Sequence, residues 1–152
     1  SQRTTSASEK ASLARGFAVA KALGAVDVGQ AVVVQAGLVL GLEALEGTDA
    51  LITRCADLRT QSREAPLLIK TAKPQQDLRL DLPALGPTTV ALLAAHGYGG
   101  VALEAGKSLL IAREESRKLA DEAGLFLWGL ASPASSMPAL TPGGTTAPCA
   151  ER

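Results

Sequence analysis

Apolar residues open the chain at helical spacing, with Leu13, Phe17, Ala20 and Leu23 following one another at steps of three or four. Ser6 stands where a cap belongs, Glu9 follows it at capping-box spacing, and Gly24 supplies the stop. The period then changes. Ala31–Gln35 and Leu38–Leu42 are short apolar runs joined by Ala36-Gly37, a pattern that predicts a β-hairpin with glycine relieving the turn. Thr48 is read as the cap of a second helix, with Asp49 in its first turn and Leu51, Ile52, Cys55 and Leu58 as its buried stripe.

Residues 61–65 are polar and read as loop, and Leu67–Lys70 as a compact strand that Pro74 closes off. Gly86-Pro87 opens a helix through Val90, Leu92 and Leu93 that ends near His96-Gly97. Runs at 101–104 and 107–111 flank Ala105-Gly106 and predict a second hairpin. Glu114 and Glu115 begin a last helix running to Gly124, and 125–128 reads as a final, fully buried strand. Hairpin then helix would thus occur twice, with the similar turns QAGLVL and EAGKSL as a weak internal echo. The expectation is an α/β fold, a mixed β-sheet with hairpins and interleaved helices. Residues 132–152 carry Pro, Ser, Thr, Gly and Ala without an apolar period and read as a disordered or loosely attached tail. The chain then divides into an N-terminal helix and interdomain segment (1–24), an α/β domain (25–131) and the tail (132–152).

Composition narrows the function classes. At 152 residues and 47% apolar, the chain can build one packed core. Fifteen basic residues balance fifteen acidic ones, and one Trp, one Tyr and two Phe offer few stacking platforms, so no nucleic-acid partner is expected. Cys55 and Cys149 suggest neither a disulfide framework nor a zinc site, which fits a reducing, cytoplasmic setting. No apolar run reaches the length of a membrane span, and residues 1–8 are too polar for a signal peptide. The chain begins without Met, as a piece of a longer protein would.

The chemistry concentrates in KTAKPQQDLRLDLP, residues 70–83. Lys70 and Lys73 lead into Asp77, Arg79 and Asp81, which alternate with Leu78, Leu80 and Leu82. An extended backbone would set the charges on one face, roughly 7 Å apart. Such a row can hold phosphates on lysine and arginine and a hard divalent cation on carboxylates, or it can be the solvated face of an edge strand. Pro74 and Gln75-Gln76 favour a loop for its first half. A second cluster, Glu43, Glu46 and Asp49, surrounds a helix start, where backbone N–H groups favour anions; capping explains Thr48 and Asp49 but not the two glutamates. Glu104 and Lys107 read as a turn charge pair, Asp27 and Gln30 as turn residues, and His96 as a helix C-terminal residue. No nucleotide-binding, Walker or nucleophile-elbow motif is present.

Four strings occur in one order: ALGAVDVGQAVVV, LEALEGTDALI, KTAKPQQDLRLDLPALGPTTV and GVALEAGKSLLI. Together they resemble the C-terminal domain of the LpxI-type UDP-2,3-diacylglucosamine pyrophosphatases, lipid A biosynthesis enzymes of some Gram-negative bacteria. The resemblance covers residues 23–129. It implies a two-domain hydrolase whose C-terminal α/β domain is catalytic, with a missing N-terminal domain of the same enzyme as its partner. The implied reaction is metal-dependent hydrolysis of the pyrophosphate bond, giving UMP and 2,3-diacylglucosamine 1-phosphate (lipid X). Carried onto this chain, Asp77, Asp81 and Lys73 are the catalytic candidates. Lys70, Gln76, Arg79, Thr48, Glu104 and Gly106 are substrate-binding candidates, and Asp77, Asp49 and Glu46 would hold magnesium or another divalent cation such as Mn. A nucleotide-lipid substrate also opens peripheral association with the inner membrane, and a homodimer is a further option. Without its N-terminal domain the chain is expected to fold yet turn over little. Two alternatives stand beside this: a non-catalytic module binding a phosphorylated ligand or a protein, and clusters that are only caps and solvated edges.

Overall fold

The computed structural model describes residues 4–74 and 82–131; the tail lies outside them. The order of elements is α1 (Ala7–Ala25), β1 (Ala31–Gln35), β2 (Leu38–Leu42), α2 (Thr48–Ala56), β3 (Leu67–Lys70), β4 (Ala84–Leu85), α3 (Pro87–Ala95), β5 (Gly100–Glu104), β6 (Leu109–Leu110), α4 (Arg113–Glu122) and β7 (Phe126–Leu130). Five strands form one sheet in the order β2-β1-β3-β5-β7, and β4 and β6 form a small second sheet. The α/β class with a mixed sheet is therefore observed: β1 pairs antiparallel with β2 and β3, while β3, β5 and β7 run parallel.

Helix α1 starts as its sequence dictates. The Ser6 hydroxyl accepts the Glu9 N–H at 3.1 Å, and the Glu9 carboxylate accepts the Ser6 N–H at 2.8 Å, satisfying two otherwise orphan donors. Leu13, Phe17 and Ala20 then lie on one face of the sheet against Val32, Val34, Leu67, Ile69, Ala102 and Phe126. The opposite face, with Ala31, Val33, Leu68 and Val101, is covered by Leu51, Ile52 and Cys55 of α2, Val90 and Leu93 of α3 and Ala120 of α4. Strands buried on both faces read as unbroken apolar runs, which is why β1 and β3 show no polar alternation.

Four expectations are corrected. The second hairpin does not form: both edges of β5 are taken by β3 and β7, so β6 leaves the sheet and pairs parallel with β4. Only the turn survives, with the Lys107 N–H donating to the Glu104 carbonyl at 3.2 Å. Parallel neighbours require helical crossovers, here α3 and α4, and the internal echo disappears with the hairpin. Strand β7 is an edge strand, so Leu127, Trp128 and Leu130 are only half-buried. Leu58 lies past the end of α2 and is exposed. The N-cap of α2 is Gly47, at φ 84°, and Thr48 is its first helical residue.

Gly100 is a tight point in this packing. A Cβ there would stand 2.5 Å from Cγ of Phe126, its partner across the β5–β7 pair. Gly100→Ala is expected to destabilise the fold by about 1–3 kcal/mol through overpacking. Denaturant melts would show it, and an unchanged midpoint would mean the ring can yield.

Candidate functional site

Strands β3 and β5 are parallel and so release their chains at the same edge of the sheet, the position where open α/β sheets form clefts. Lys70, Thr71, Ala72 and Lys73 leave β3 there, and Glu104 ends β5. The Lys70 side chain is buried, and its ammonium donates to the Thr48 hydroxyl at 3.0 Å and the Ala84 carbonyl at 3.1 Å. Thr48 in turn donates to Oε1 of buried Glu43 at 3.0 Å, and Oε2 of Glu43 accepts the Gln30 N–H at 3.2 Å. A lysine at this depth needs such a relay, because an uncompensated buried charge is strongly unfavourable. Thr48 therefore serves as a link in this relay rather than as a helix cap.

Two helices begin beside Lys70. Helices α2 and α3 start at Gly47 and Gly86, which carry no capping side chain, so first-turn N–H groups stay open to an anion. Their starts are tied together by the Thr89 hydroxyl, which donates to Oδ1 of Asp49 at 2.9 Å.

A second charged centre lies on the other side of the β3 exit. The Glu104 side chain is completely buried, receives the Ala72 N–H at 2.9 Å, and pairs with Lys21 and Lys107, each at 3.2 Å. Lys21 also donates to the Ala72 carbonyl at 3.0 Å. Burial opposes ionisation of Glu104, but the Ala72 N–H and the two ammonium groups outweigh it and hold the carboxyl below its ordinary value. The arrangement fastens α1, the β5 turn and the segment after β3 at one point.

Lys73 reaches Asp27 at 2.9 Å. Glu46 turns outward to Arg54 at 2.6 Å, and that hydrogen bond lowers its carboxyl pKa. Among the described residues, no group of three His, Cys, Asp or Glu side chains converges as a metal site. Gln76, Asp77, Arg79 and Asp81 lie outside the described residues. What the described part does offer a hard cation is oxygen: Oε1 of Gln30 and Oγ1 of Thr71 are buried without a hydrogen-bond partner, and the Thr71 N–H donates to the Gln30 carbonyl at 2.9 Å. Neutral oxygens of this kind suit magnesium as supplements to carboxylates.

The model of the LpxI C-terminal domain family matches residues 1–128. The chain belongs to that family. It is 41% identical over 125 residues to the UDP-2,3-diacylglucosamine pyrophosphatase LpxI of Caulobacter vibrioides, an alignment covering 79% of this chain and 45% of that protein. The chain therefore spans less than half the length of this LpxI relative. The LpxI match begins at residue 1 and so takes in α1, whose apolar face is part of the core and whose Lys21 is part of the Glu104 centre.

Of the residues marked from sequence, the fold brings Lys70 and Thr48 into direct contact and sets Lys73 and Glu104 at the same sheet edge. Glu46 and Asp49, by contrast, turn to separate partners. Gly106, at φ 74°, makes the turn after β5, and a Cβ there would meet nothing. Sequence reasoning missed Lys21, Thr71 and Thr89. Lys21 left a trace, a lone charge among the small and apolar residues of α1; Thr71 and Thr89 left none. Cys55 is buried and its thiol pKa is raised by that burial, which leaves it a core residue.

Proposed function

We propose that the protein containing this chain hydrolyses the pyrophosphate bond of UDP-2,3-diacylglucosamine, releasing UMP and 2,3-diacylglucosamine 1-phosphate, and that this chain carries the catalytic residues. The observation that bears most weight is the buried Lys70 ammonium, held by Thr48 and Ala84 between two glycine-started helices at the end of β3. A diphosphate needs fixed positive charge and N–H donors, and this edge supplies both. Lys73 and Arg79 would add charge on the phosphates, and Gln76 a polar contact. Asp77 and Asp81 would hold and orient the attacking water.

A bound magnesium, on Asp77 with Asp49 and Glu46 as further donors and Mn as a substitute, would lower the pKa of that water and neutralise phosphate charge. Asp49 and Glu46 would have to exchange Thr89 and Arg54 for the metal, whereas Gln30 and Thr71 have oxygens to spare. Val26, Val28 and Leu45 are exposed apolar residues close to this edge in sequence and offer area to the other half of the longer protein. That half is the proposed partner for substrate binding, in the cytoplasm at the face of the inner membrane. Among the described residues, no helix is long and apolar enough to cross a membrane.

The test is to incubate the full-length protein with UDP-2,3-diacylglucosamine and follow products by mass spectrometry, with and without EDTA. UMP and the sugar 1-phosphate should appear together and stop with chelation. Intact substrate would overturn the reading, and EDTA-insensitive cleavage would overturn its metal component.

A further inference from the structure

The last turn of α1 and the turn after it meet the chain where it leaves β3, through residues spaced three apart. The Lys21 ammonium donates to the Ala72 carbonyl at 3.0 Å and to Oε2 of Glu104 at 3.2 Å. At Gly24 the backbones come so close that a Cβ would stand 3.4 Å from Cα of Lys73 and 3.6 Å from Cδ of Pro74. Asp27, at φ 55°, takes the Lys73 ammonium at 2.9 Å. Ala72, Lys73 and Pro74 are thus met in turn by Lys21, Gly24 and Asp27.

Fold stability alone accounts poorly for Lys21. Helix α1 is already held by Leu13, Phe17 and Ala20 against the sheet and by its capping box. The ammonium grips no strand, because β3 ends at Lys70 and Ala72 lies beyond it. A backbone carbonyl past a strand end is ordinarily satisfied by water or a turn. This one is bonded to a cation, and the N–H of the same residue to the buried Glu104 carboxylate at 2.9 Å. Hydrogen bonds with an ionised partner are roughly twice as strong as neutral ones. Lys21 and Glu104 also pair with each other, so the two grips on Ala72 act as one clamp.

We infer that Lys21, with Glu104, is a positioning residue for the proposed hydrolysis. The clamp on Ala72 fixes the point from which the chain continues to Lys73 and, in sequence, to Asp77 and Asp81. The inference rests on the pyrophosphatase reading for the reaction served, and on geometry alone for the clamp. Groups that bind phosphate or orient water work at full effect only when held in place; a displacement of about 1 Å can cost on the order of 10²-fold in rate. Lys70 has its own partners in Thr48 and Ala84, so its contact with phosphate does not depend on the clamp. Glu104 acts on the chain rather than on substrate, with Oε1 engaged by Lys107 and Oε2 by Ala72 and Lys21. Helix α1, which the sequence places in an interdomain segment, becomes part of the working unit.

Lys21→Met in the full-length protein tests this with two readouts. The side chain keeps its reach and loses its donors, while Glu104 keeps Lys107 and the Ala72 N–H. The kcat for UDP-2,3-diacylglucosamine is expected to fall roughly 10- to 100-fold, with a smaller rise in KM because Lys70 stays in place. Lys21→Arg offers separate N–H groups to the carbonyl and the carboxylate and should restore most of kcat. Amide exchange followed by NMR should quicken roughly tenfold or more at Ala72, the scale for losing a hydrogen bond to a charged group, and stay unchanged at Leu68 and Ile69. Unchanged kcat in Lys21→Met, or equal losses in Lys21→Met and Lys21→Arg, would overturn the inference. So would a rise in KM at full kcat, the mark of a direct substrate contact. Faster exchange at Ala72, Leu68 and Ile69 together would mean that Lys21 only stabilises the fold. Exchange is read without turnover, which separates the two readings. Intact substrate with the unaltered protein refutes the pyrophosphatase, and slow exchange at Ala72 in Lys21→Met refutes the clamp.

Discussion

Asp77→Ala in the full-length protein is expected to abolish measurable pyrophosphate hydrolysis, a loss of at least about 10²- to 10³-fold in kcat, the scale for removing one group that stabilises developing charge. Asp77 opens the alternating row Asp77, Arg79, Asp81, with Leu78, Leu80 and Leu82 between. Its carboxylate is the one assigned both to the metal and to the water, so no neighbour can replace both duties. The KM for substrate should change little, because Lys70, Lys73 and Arg79 remain to bind the diphosphate. Thermal melting should match the unaltered protein. Wild-type turnover with Asp77→Ala would remove this residue from the mechanism and leave the phosphate-binding module as the better reading. Loss of folding would be recognised by circular dichroism, and Asp77→Asn then repeats the measurement with the side-chain volume kept.

Glu104→Gln should give the largest stability loss. The carboxylate joins α1 through Lys21, the turn after β5 through Lys107 and the segment after β3 through the Ala72 N–H. Breaking a buried pair and stranding its partner costs about 3–5 kcal/mol. Here Lys21 and Lys107 are 29% and 42% exposed and can turn to water, and the Gln carbonyl still accepts from Ala72. The expected loss is therefore smaller, about 2–3 kcal/mol, the worth of charge-assisted hydrogen bonds. Its pH dependence has a definite sign. The folded carboxyl titrates below the ordinary value of 4.5, so its contribution is complete above that value and is lost as pH falls through the folded pKa. Denaturant melts should show the full difference between the two proteins at pH 7 and a shrinking one below about pH 4.5. A difference that stays constant into acid would mean that the Glu104 charge contributes nothing.

The accuracy of the sequence reading follows the range of the interactions involved. The Ser6–Glu9 capping box, the hairpin across Ala36-Gly37 and the Gly86-Pro87 helix start each depend on residues within a few positions, and each forms as read. The hairpin expected across Ala105-Gly106 has the same local signal and fails. Its turn is real, but β3 and β7 already occupy both edges of β5, a competition that no local window contains. Burial failed in the same way at Leu127 and Trp128, since an apolar run does not reveal whether its strand is central or at the edge.

For the site, sequence alone determined the chemistry: which segments carry lysines and carboxylates, that the balance of charge argues against nucleic acid, and which family the order of four motifs resembles. Only the tertiary structure decided which of those charges are already engaged. Glu104 meets Lys21 across 83 positions, and Thr48 meets Lys70 across 22. Such partners are chosen by how α1 and the parallel strands pack, because a buried charge takes whatever donor the fold delivers to it. Residue type and spacing state what a side chain can bind; packing states what it has bound.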